Sequence, residues 1–310
     1  MIAFVLSGAG NRGPLEVGAL QALHEHGIKP DFLVGTSAGA MNSMYVAAHG
    51  LEANTTKDLA DFWGEATAHT IYPGNIVQVA WRFVTGANSL YPSDGMRAML
   101  QKALPAGVRN FGDCKIPLFV TAGDLQTARL FLFGEDPNVS LVEATLASAS
   151  VPSIHPPVSY AGLQLVDGGT VANVAASVAM NKGADEIYVI NASWGGNKLP
   201  PAKGVLSVLS LTLNTLLAQS FLRDMDEARM NPNITLHNVY VGAFHDLSFR
   251  DFSKTAEMVV VGKEKADAYL ANPIPETFSP SAAPRFGAQA TPTYPVMVGG
   301  ARDITPDYPR

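Results

Sequence analysis

The sequence has a single cysteine, Cys114, among 310 residues, so the chain can form no internal disulfide. One cysteine without a close histidine is also a poor metal site. Lys and Arg number 21 against 27 Asp and Glu, which gives a net charge of −6. No run of basic residues is present, so the sequence lacks the charge pattern of a nucleic-acid binder.

The chain also has little that resembles a targeting or membrane segment. Its N-terminus shows no basic region and no small-residue cleavage site after an apolar stretch. The longest apolar stretch, residues 205–222, is interrupted by four polar residues that fall near one helical face. We therefore predict a cytoplasmic protein without a membrane span, whose membrane contact, if any, is peripheral.

Strand and helix patterns alternate over the first 200 residues, which is typical of an α/β fold with a mostly parallel sheet. Apolar runs at 2–6 and 32–34 predict strands, each followed by a glycine-rich turn and a helix, at 14–26 and 40–48. The other predicted strands are 118–122, 129–133, 164–166, 186–191 and 234–241. The other predicted helices are 56–66, 141–149, 171–181, 205–222 and 249–270, and residues 70–95 are predicted to be irregular.

The last 38 residues, from Pro273, contain eight prolines, which excludes regular helix and central strand. No internal repeat and no interior linker is visible. We predict one folded domain over residues 1–272 and a proline-rich tail over 273–310, either disordered or extended over the domain.

Gly35-Thr36-Ser37-Ala38-Gly39 lies between a predicted strand and a predicted helix. In a nucleophile elbow a serine occupies such a strained turn, and small neighbours let the backbone bend while the hydroxyl is exposed. The pattern is common by chance, and its strand-turn-helix setting gives it weight. Ser37 is the candidate nucleophile, and Gly35 and Gly39 are the elbow glycines.

A second glycine-rich turn, Ser7-Gly8-Ala9-Gly10-Asn11-Arg12-Gly13, also joins a strand to a helix. Its unobstructed N–H groups and the helix N-terminus favour an anion, either a phosphate or the oxyanion of an attacked ester. Gly8, Gly10 and Gly13 also fit a dinucleotide-binding turn. That alternative needs an acid at the end of the second strand, whereas Asp31 precedes the strand.

Leu165-Val166-Asp167-Gly168-Gly169 places a carboxylate at a predicted strand end, with Gly168 and Gly169 permitting close backbone approach. Strand ends at one edge of a parallel sheet converge, so we expect Ser37, the Gly8–Gly10 loop and Asp167 to share one crevice. An ordinary surface turn is the alternative for Asp167. A rigid proline-containing loop, residues 147–158, precedes this strand.

Taken in order, the glycine loop, the Gly-x-Ser-x-Gly turn, the Ala-Ser-x-Ser-x-Pro loop and Asp-Gly-Gly resemble a patatin-like phospholipase over about residues 2–191. The resemblance implies a patatin-like three-layer α/β/α fold and a cofactor-free hydrolase of lipid acyl esters. It also implies a Ser-Asp dyad of Ser37 and Asp167. Gly8, Ala9, Gly10 and Arg12 match the oxyanion loop.

This chain departs from the family pattern in three places. Ala9 replaces a glycine and can offer its N–H only if its φ is negative, while His155 and Ala175 stand where Phe and Pro are common. Two alternatives stay open. A Ser-His-Asp triad would draw on His155, His237 or His245, and a non-catalytic lipid or acyl binder would keep the pocket without turnover.

Overall fold

The computed structural model describes residues 1–193, 201–276 and 297–298, and within them nine strands form one sheet. The strands are β1 (Ile2–Leu6), β2 (Phe32–Gly35), β3 (Leu118–Asp124), β4 (Leu130–Phe133), β5 (Val158–Tyr160), β6 (Leu163–Asp167), β7 (Glu186–Asn191), β8 (Thr235–Tyr240) and β9 (Met297–Val298). The helices are α1 (Gly13–Glu25), α2 (Ala38–His49), α3 (Ala53–Glu65), α4 (Ala68–Ile71), α5 (Ile76–Val84), α6 (Asp94–Ala103), α7 (Leu141–Ser148), α8 (Ala176–Asn181), α9 (Val205–Arg229) and α10 (Thr255–Ala271).

The centre of the sheet is parallel. β1 lies between β2 and β7, β2 pairs with β3, and β7 pairs with β8, all in parallel. On the far side β3 pairs antiparallel with both β4 and β6, β5 pairs antiparallel with β6, and β9 extends β4 in parallel. The predicted mostly parallel sheet is confirmed, and β3 and β4 form a hairpin.

Alternate residues of β1 face two separate cores. Phe4 and Leu6 join a cluster that includes side chains of α1, α2, α3, α6, α7 and α10. Ala3 and Val5 join a second cluster with α8 and α9. Because successive side chains of a strand point to opposite faces, helices cover both faces of the sheet. The predicted three-layer α/β/α fold is therefore confirmed.

Helices α1 and α10 cross at very close range through two glycines. A Cβ on Gly18 would lie 2.1 Å from the carbonyl oxygen of Val259, and one on Gly262 would lie 2.0 Å from that of Leu15. Each glycine therefore lets one backbone rest directly on the other, and this contact fixes α1 and the glycine loop before it.

Residues 70–95, predicted to be irregular, contain α5 and the ends of two neighbouring helices. Asn75 caps α5: its Oδ1 accepts from the N–H of Gln78 at 3.0 Å, and Gln78 Oε1 accepts from the N–H of Asn75 at 2.9 Å. This reciprocal capping box starts a helix directly after Pro73 and Gly74. The prediction of irregular structure was wrong because it relied on Pro73 and Gly74 as loop-forming residues and did not take the capping box into account.

Two predicted helices begin later than expected, because tertiary contacts hold their first residues in other conformations. The 171–181 helix begins at Ala176, since residues before it pack against the glycine loop, and the 249–270 helix begins at Thr255. In the predicted tail, residues 277–296 and 299–310 lie outside the described residues, so its character stays a prediction. No helix in the described ranges is both long and apolar enough to cross a bilayer.

Candidate active site

Ser37 occupies a sharp turn between β2 and α2, with φ 55° and ψ −120°. Serine rarely adopts positive φ, so surrounding contacts must hold this strained backbone in place. The N–H of Gly39 donates to the carbonyl of Ser7 at 3.1 Å, and a Cβ on Gly39 would lie 2.4 Å from the carbonyl oxygen of Leu6. A Cβ on Gly35 would lie 2.6 Å from the Cα of Ala40, so both elbow glycines are needed for close approach.

The hydroxyl of Ser37 donates to Asp167 Oδ2 at 2.6 Å, between two largely buried side chains. The other carboxylate oxygen, Oδ1, accepts from the N–H of Gly169 at 2.8 Å. A Cβ on Gly168 would lie 2.4 Å from Thr121 Oγ1, which explains the first glycine of the Asp-Gly-Gly turn. The carboxylate is thus oriented from one side and faces the serine on the other.

The register of β3 explains how these two residues meet. Strand β3 pairs with β2 through residues 118–120, with β6 through residues 122–124 and with β4 through residues 120–123. Because a strand has two edges, β2 and β6 lie one after the other along one edge of β3, and β4 lies along the other. Gly35 pairs with Val120 and Asp167 with Ala122, which places the carboxyl ends of β2 and β6 head to head. We expected convergence at the edge of a parallel sheet; that reason was wrong, because β6 runs antiparallel to β3.

Burial raises the pKa of Asp167 to about 6, while hydrogen bonds from Ser37 and Gly169 act in the opposite direction. At neutral pH the carboxylate is therefore mostly ionised, yet it is a stronger base than an exposed aspartate. A base that titrates near the working pH and contacts a serine hydroxyl can accept the proton of that hydroxyl.

The glycine loop lies beside this pair, with Gly10–Arg12 forming a single 3₁₀ turn. Gly8 donates its N–H to the carbonyl of Asn173 at 3.1 Å, so that group is not free to bind an oxyanion. Ala9 has φ −133°, which alanine adopts without strain, and Gly10 has φ +58°. Within the described part of the chain, the N–H groups of Ala9 and Gly10 donate to no acceptor.

Arg12 and Asn11 bond to the segment before α10 and fasten the loop to it. Arg12 Nη1 lies 2.9 Å from His245 Nδ1, and Asn11 Nδ2 donates to the carbonyls of Ser248 and Asp251 at 2.9 and 2.7 Å. Burial lowers the pKa of Arg12. In this structure Arg12 therefore supports the loop from outside.

The candidate triad histidines are engaged elsewhere. His245 contacts Arg12 and, at 3.2 Å, the hydroxyl of Tyr240. His155 Nε2 contacts the carbonyl of Ile71 at 2.8 Å, and His237 lies 3.0 Å from the hydroxyl of Tyr269. Asp167, rather than an imidazole, is the described partner of the Ser37 hydroxyl, so the geometry does not favour a triad.

The dinucleotide alternative also finds no support here. Asp31, the acid nearest to β2, accepts from the N–H of Ile2 at 2.7 Å. It therefore lies where β1 begins, at the opposite end of that strand from the glycine loop. Ser37 occupies the position after β2 that a ribose-binding acid would need.

Three polar residues that support the site were not singled out from the sequence. Ser148 Oγ accepts from the N–H of Ser37 at 2.8 Å, and the carbonyl of Ser150 accepts from the N–H of Asp167 at 2.9 Å. Both belong to the predicted rigid loop, whose serines were the available signal. Asn173, which holds Gly8, follows the Asp-Gly-Gly turn by four residues and carries no local signal.

A fully buried acid, Glu16, connects the two glycine turns. Glu16 accepts from the hydroxyl of Ser7 at 2.8 Å and from Asn42 Nδ2 at 2.9 Å. Ser7 directly precedes the glycine loop, and Asn42 lies on the helix that Ser37 starts. Burial raises the pKa of Glu16 to about 8, although both hydrogen bonds lower it. Through these two hydrogen bonds Glu16 ties the loop to the elbow.

Several curated proteins are similar to this chain over part of their length. It is 25% identical over 206 residues to "Lysophospholipase NTE1" of Meyerozyma guilliermondii, covering 64% of this chain and 13% of that protein. It is 29% identical to "Lysophospholipase nte1" of Emericella nidulans, covering 66% and 12%. It is 28% identical to mouse "Patatin-like phospholipase domain-containing protein 7", covering 61% and 13%. The chain spans about an eighth of the length of these relatives.

Comparison with solved structures matches this chain to VipD from Legionella pneumophila and to human GIVD cytosolic phospholipase A2. VipD is 16% identical with a TM-score of 0.44, covering 87% of this chain and 66% of VipD. The human enzyme is 11% identical with a TM-score of 0.45, covering 87% and 58%. The sequence model "Patatin-like phospholipase" matches residues 4–180, which is 177 of 310 residues and includes both glycine turns and Asp167. The chain therefore belongs to the patatin-like phospholipase family.

Proposed function

We propose that this chain hydrolyses carboxylic esters of lipids, with Ser37 as nucleophile and Asp167 as its base. The observation that carries the proposal is the 2.6 Å hydrogen bond from the Ser37 hydroxyl to Asp167 Oδ2. Family membership and the lysophospholipase names of relatives support a phospholipid or lysophospholipid substrate. Simple esters are the other substrate class to be tested.

The reaction proceeds in two steps. In the first, Ser37 Oγ bonds to the ester carbonyl carbon as Asp167 takes the hydroxyl proton; the tetrahedral intermediate then expels the alcohol, which receives that proton. In the second, a water molecule gives a proton to Asp167 and its oxygen attacks the acyl-serine; the fatty acid then leaves as Asp167 returns that proton to Ser37 Oγ. The steps need only water and ester.

The oxyanion of each tetrahedral intermediate is stabilised by the N–H groups of Ala9 and Gly10. Gly8 supports them indirectly, because its own N–H is held by Asn173. A Cβ on Gly8 would lie 3.3 Å from that of Ser37 and 2.4 Å from Asn173 Oδ1, so glycine is needed at this position. Loss of one oxyanion donor raises such a barrier by about 3 kcal/mol.

The test compares Ser37→Ala and Asp167→Asn with a matched control, Ser43→Ala. Ser43 is a buried serine on α2, the helix that begins directly after Ser37, and its hydroxyl has no partner in the described structure. We expect both site variants to lose at least about 10³-fold in kcat on short p-nitrophenyl esters and on lysophospholipids, while Ser43→Ala stays near wild type.

A fluorophosphonate probe separates this function from simple lipid binding. The probe should label wild type and Ser43→Ala at Ser37 and fail to label Ser37→Ala. Unlabelled wild-type protein that still binds lipid would make the chain a non-catalytic binder. Wild-type turnover in Ser37→Ala would contradict the mechanism.

A further inference from the structure

Helix α5 carries a continuous apolar stripe on its solvent side. The exposed fractions of its large apolar side chains are Ile76 84%, Val77 71%, Trp81 68%, Phe83 79% and Val84 78%. At 100° per residue these side chains and that of Ala80 fall within a single arc of about 160°. An ordinary surface helix buries its apolar face, and α5 does the reverse.

The polar groups of α5 are satisfied within the protein. Arg82 Nε and Nη2 donate to the carbonyl and hydroxyl oxygens of Ser89, both at 3.0 Å, and Gln78 returns to Asn75 in the capping box. Val79 and Arg82 are the half-buried residues of the helix. The outward stripe therefore offers hydrocarbon and aromatic rings without charge.

The surroundings of the stripe indicate lipid as its partner. No acidic residue occurs between Glu65 and Asp94, although the chain holds 27 acids and a net charge of −6. This long acid-free interval places no negative side chain on α5 or on the segments that flank it in the sequence. Trp and Phe on an exposed helix are typical of segments that lie in the interfacial region of a bilayer.

The stripe is short, because a helix of nine residues is only about 13 Å long. Insertion into a lipid surface needs no minimum contact area, because each inserted side chain gains its own transfer free energy.

The stripe is also close in the chain to Tyr72, a residue whose phenol is influenced by Asp167 of the candidate active site. Tyr72, four residues before α5, stacks on His155 with ring centroids 5.4 Å apart and contacts the ring of Phe249 at 5.2 Å. Burial, Tyr91 and Asp167 raise the pKa of Tyr72 to about 12, so Tyr72 lies within electrostatic reach of the catalytic pair. Phe249 is 51% exposed.

We propose that the apolar stripe of α5, formed by Ile76, Val77, Ala80, Trp81, Phe83 and Val84, inserts into the interfacial region of a lipid surface. The inference rests on the proposed function, since a lipid substrate must be drawn from an aggregate. Docking through uncharged groups needs no anionic lipid, and salt does not weaken it. Docking through α5 brings Tyr72, four residues before the helix, close to the lipid surface.

The experiment uses the full chain and vesicles of phosphatidylcholine, with binding read by flotation. We compare wild type with Trp81→Gln/Phe83→Gln, and use Val260→Gln as the control because Val260 is 57% exposed on α10. We expect the double variant to lose at least about tenfold in vesicle affinity and Val260→Gln to bind as wild type does. Turnover of a water-soluble ester should stay unchanged in both.

Tryptophan emission gives a second readout. Trp81 emission should shift to the blue on vesicles and be quenched by lipids brominated near the headgroup, and Trp81→Phe should lose that change while keeping affinity. Equal vesicle binding by wild type and the double variant would overturn the inference, as would wild type that does not bind. A wild-type dimer that the double variant converts to monomer would assign the stripe to a second copy and overturn it too.

Ser37→Ala keeps a failure of docking distinct from a failure of the proposed function. This variant should bind vesicles as wild type does and release no fatty acid. If wild type hydrolyses lipid esters and the stripe variants float normally, only the docking inference fails. If the chain floats through its stripe and wild type releases no fatty acid, the proposed function fails.

Discussion

At the residue scale, the protonation of Asp167 controls how the proposed reaction responds to pH. Its pKa is raised to about 6 by burial, and only the ionised carboxylate can take a proton from Ser37. We predict that kcat/KM on a neutral ester falls as pH drops through about 6 and reaches a plateau above about 7. The check is a pH–rate profile under conditions where the ester does not titrate.

The control for this profile is His245→Ala, because His245 contacts Arg12 and Tyr240 rather than the catalytic pair. The acidic limb of the His245→Ala pH–rate profile should match that of wild type. A limb that disappears in His245→Ala would assign the base to an imidazole, and a flat profile from about pH 5 to about pH 8 would argue against a buried carboxylate base.

At the scale of secondary-structure elements, the crossing of α1 and α10 is the most restrictive contact. Gly262→Ala would place a Cβ 2.0 Å from the carbonyl oxygen of Leu15, which forces the two helices apart. We predict a loss of about 1–3 kcal/mol in the free energy of unfolding, measured by urea denaturation.

A matched substitution on another helix tests the cause of that loss. Gly64 lies in α3, and a Cβ there would meet nothing within 4 Å. Because alanine has the higher helix propensity, Gly64→Ala should be neutral or stabilising by up to about 1 kcal/mol. Equal unfolding midpoints for the two variants would show that the helices can separate without cost.

Local patterns were enough to predict much of the fold. The strands at 2–6 and 186–191 follow the apolar runs, and the turn at Ser37 follows from two glycines between a strand and a helix. The direction of β6 was not predictable, because strand pairing depends on partners about 40 residues away along the chain. Its antiparallel course brings Asp167 to Ser37 by a different route from the one we expected.

The supporting residues of the site show a second limit of sequence reasoning. Glu16 sits on the first helix like any other acid, and only the fold shows that it is buried between Ser7 and Asn42. Likewise, the backbone N–H of Gly8 is taken by Asn173, a contact between residues 165 positions apart. Which of the loop's N–H groups remain free is therefore decided by long-range contacts.

At the scale of the whole molecule, the boundary predicted after residue 272 can be tested through Glu276. Its N–H donates to the carbonyl of Leu236 on β8 at 2.7 Å, and its carboxylate contacts Arg229 of α9. The ordered contacts thus extend into the predicted tail. We predict that Glu276→Ala lowers the free energy of unfolding by about 1 kcal/mol, measured by thermal denaturation.

The comparison for Glu276 is Glu264→Ala, which removes an exposed acid from α10. That variant should unfold as wild type does. If both variants unfold alike, the start of the tail contributes nothing to the folded domain. The folded domain would then end at residue 272, as predicted. The cytoplasmic location is a separate prediction.

The end-to-end meeting of β2 and β6 has a consequence for how the protein is made. Ser37 leaves the ribosome 130 residues ahead of Asp167, and a domain generally folds as a unit. On the proposed mechanism, a growing polypeptide displays its serine without the acid that activates it, and Ser37 becomes reactive only once β6 has paired with β3.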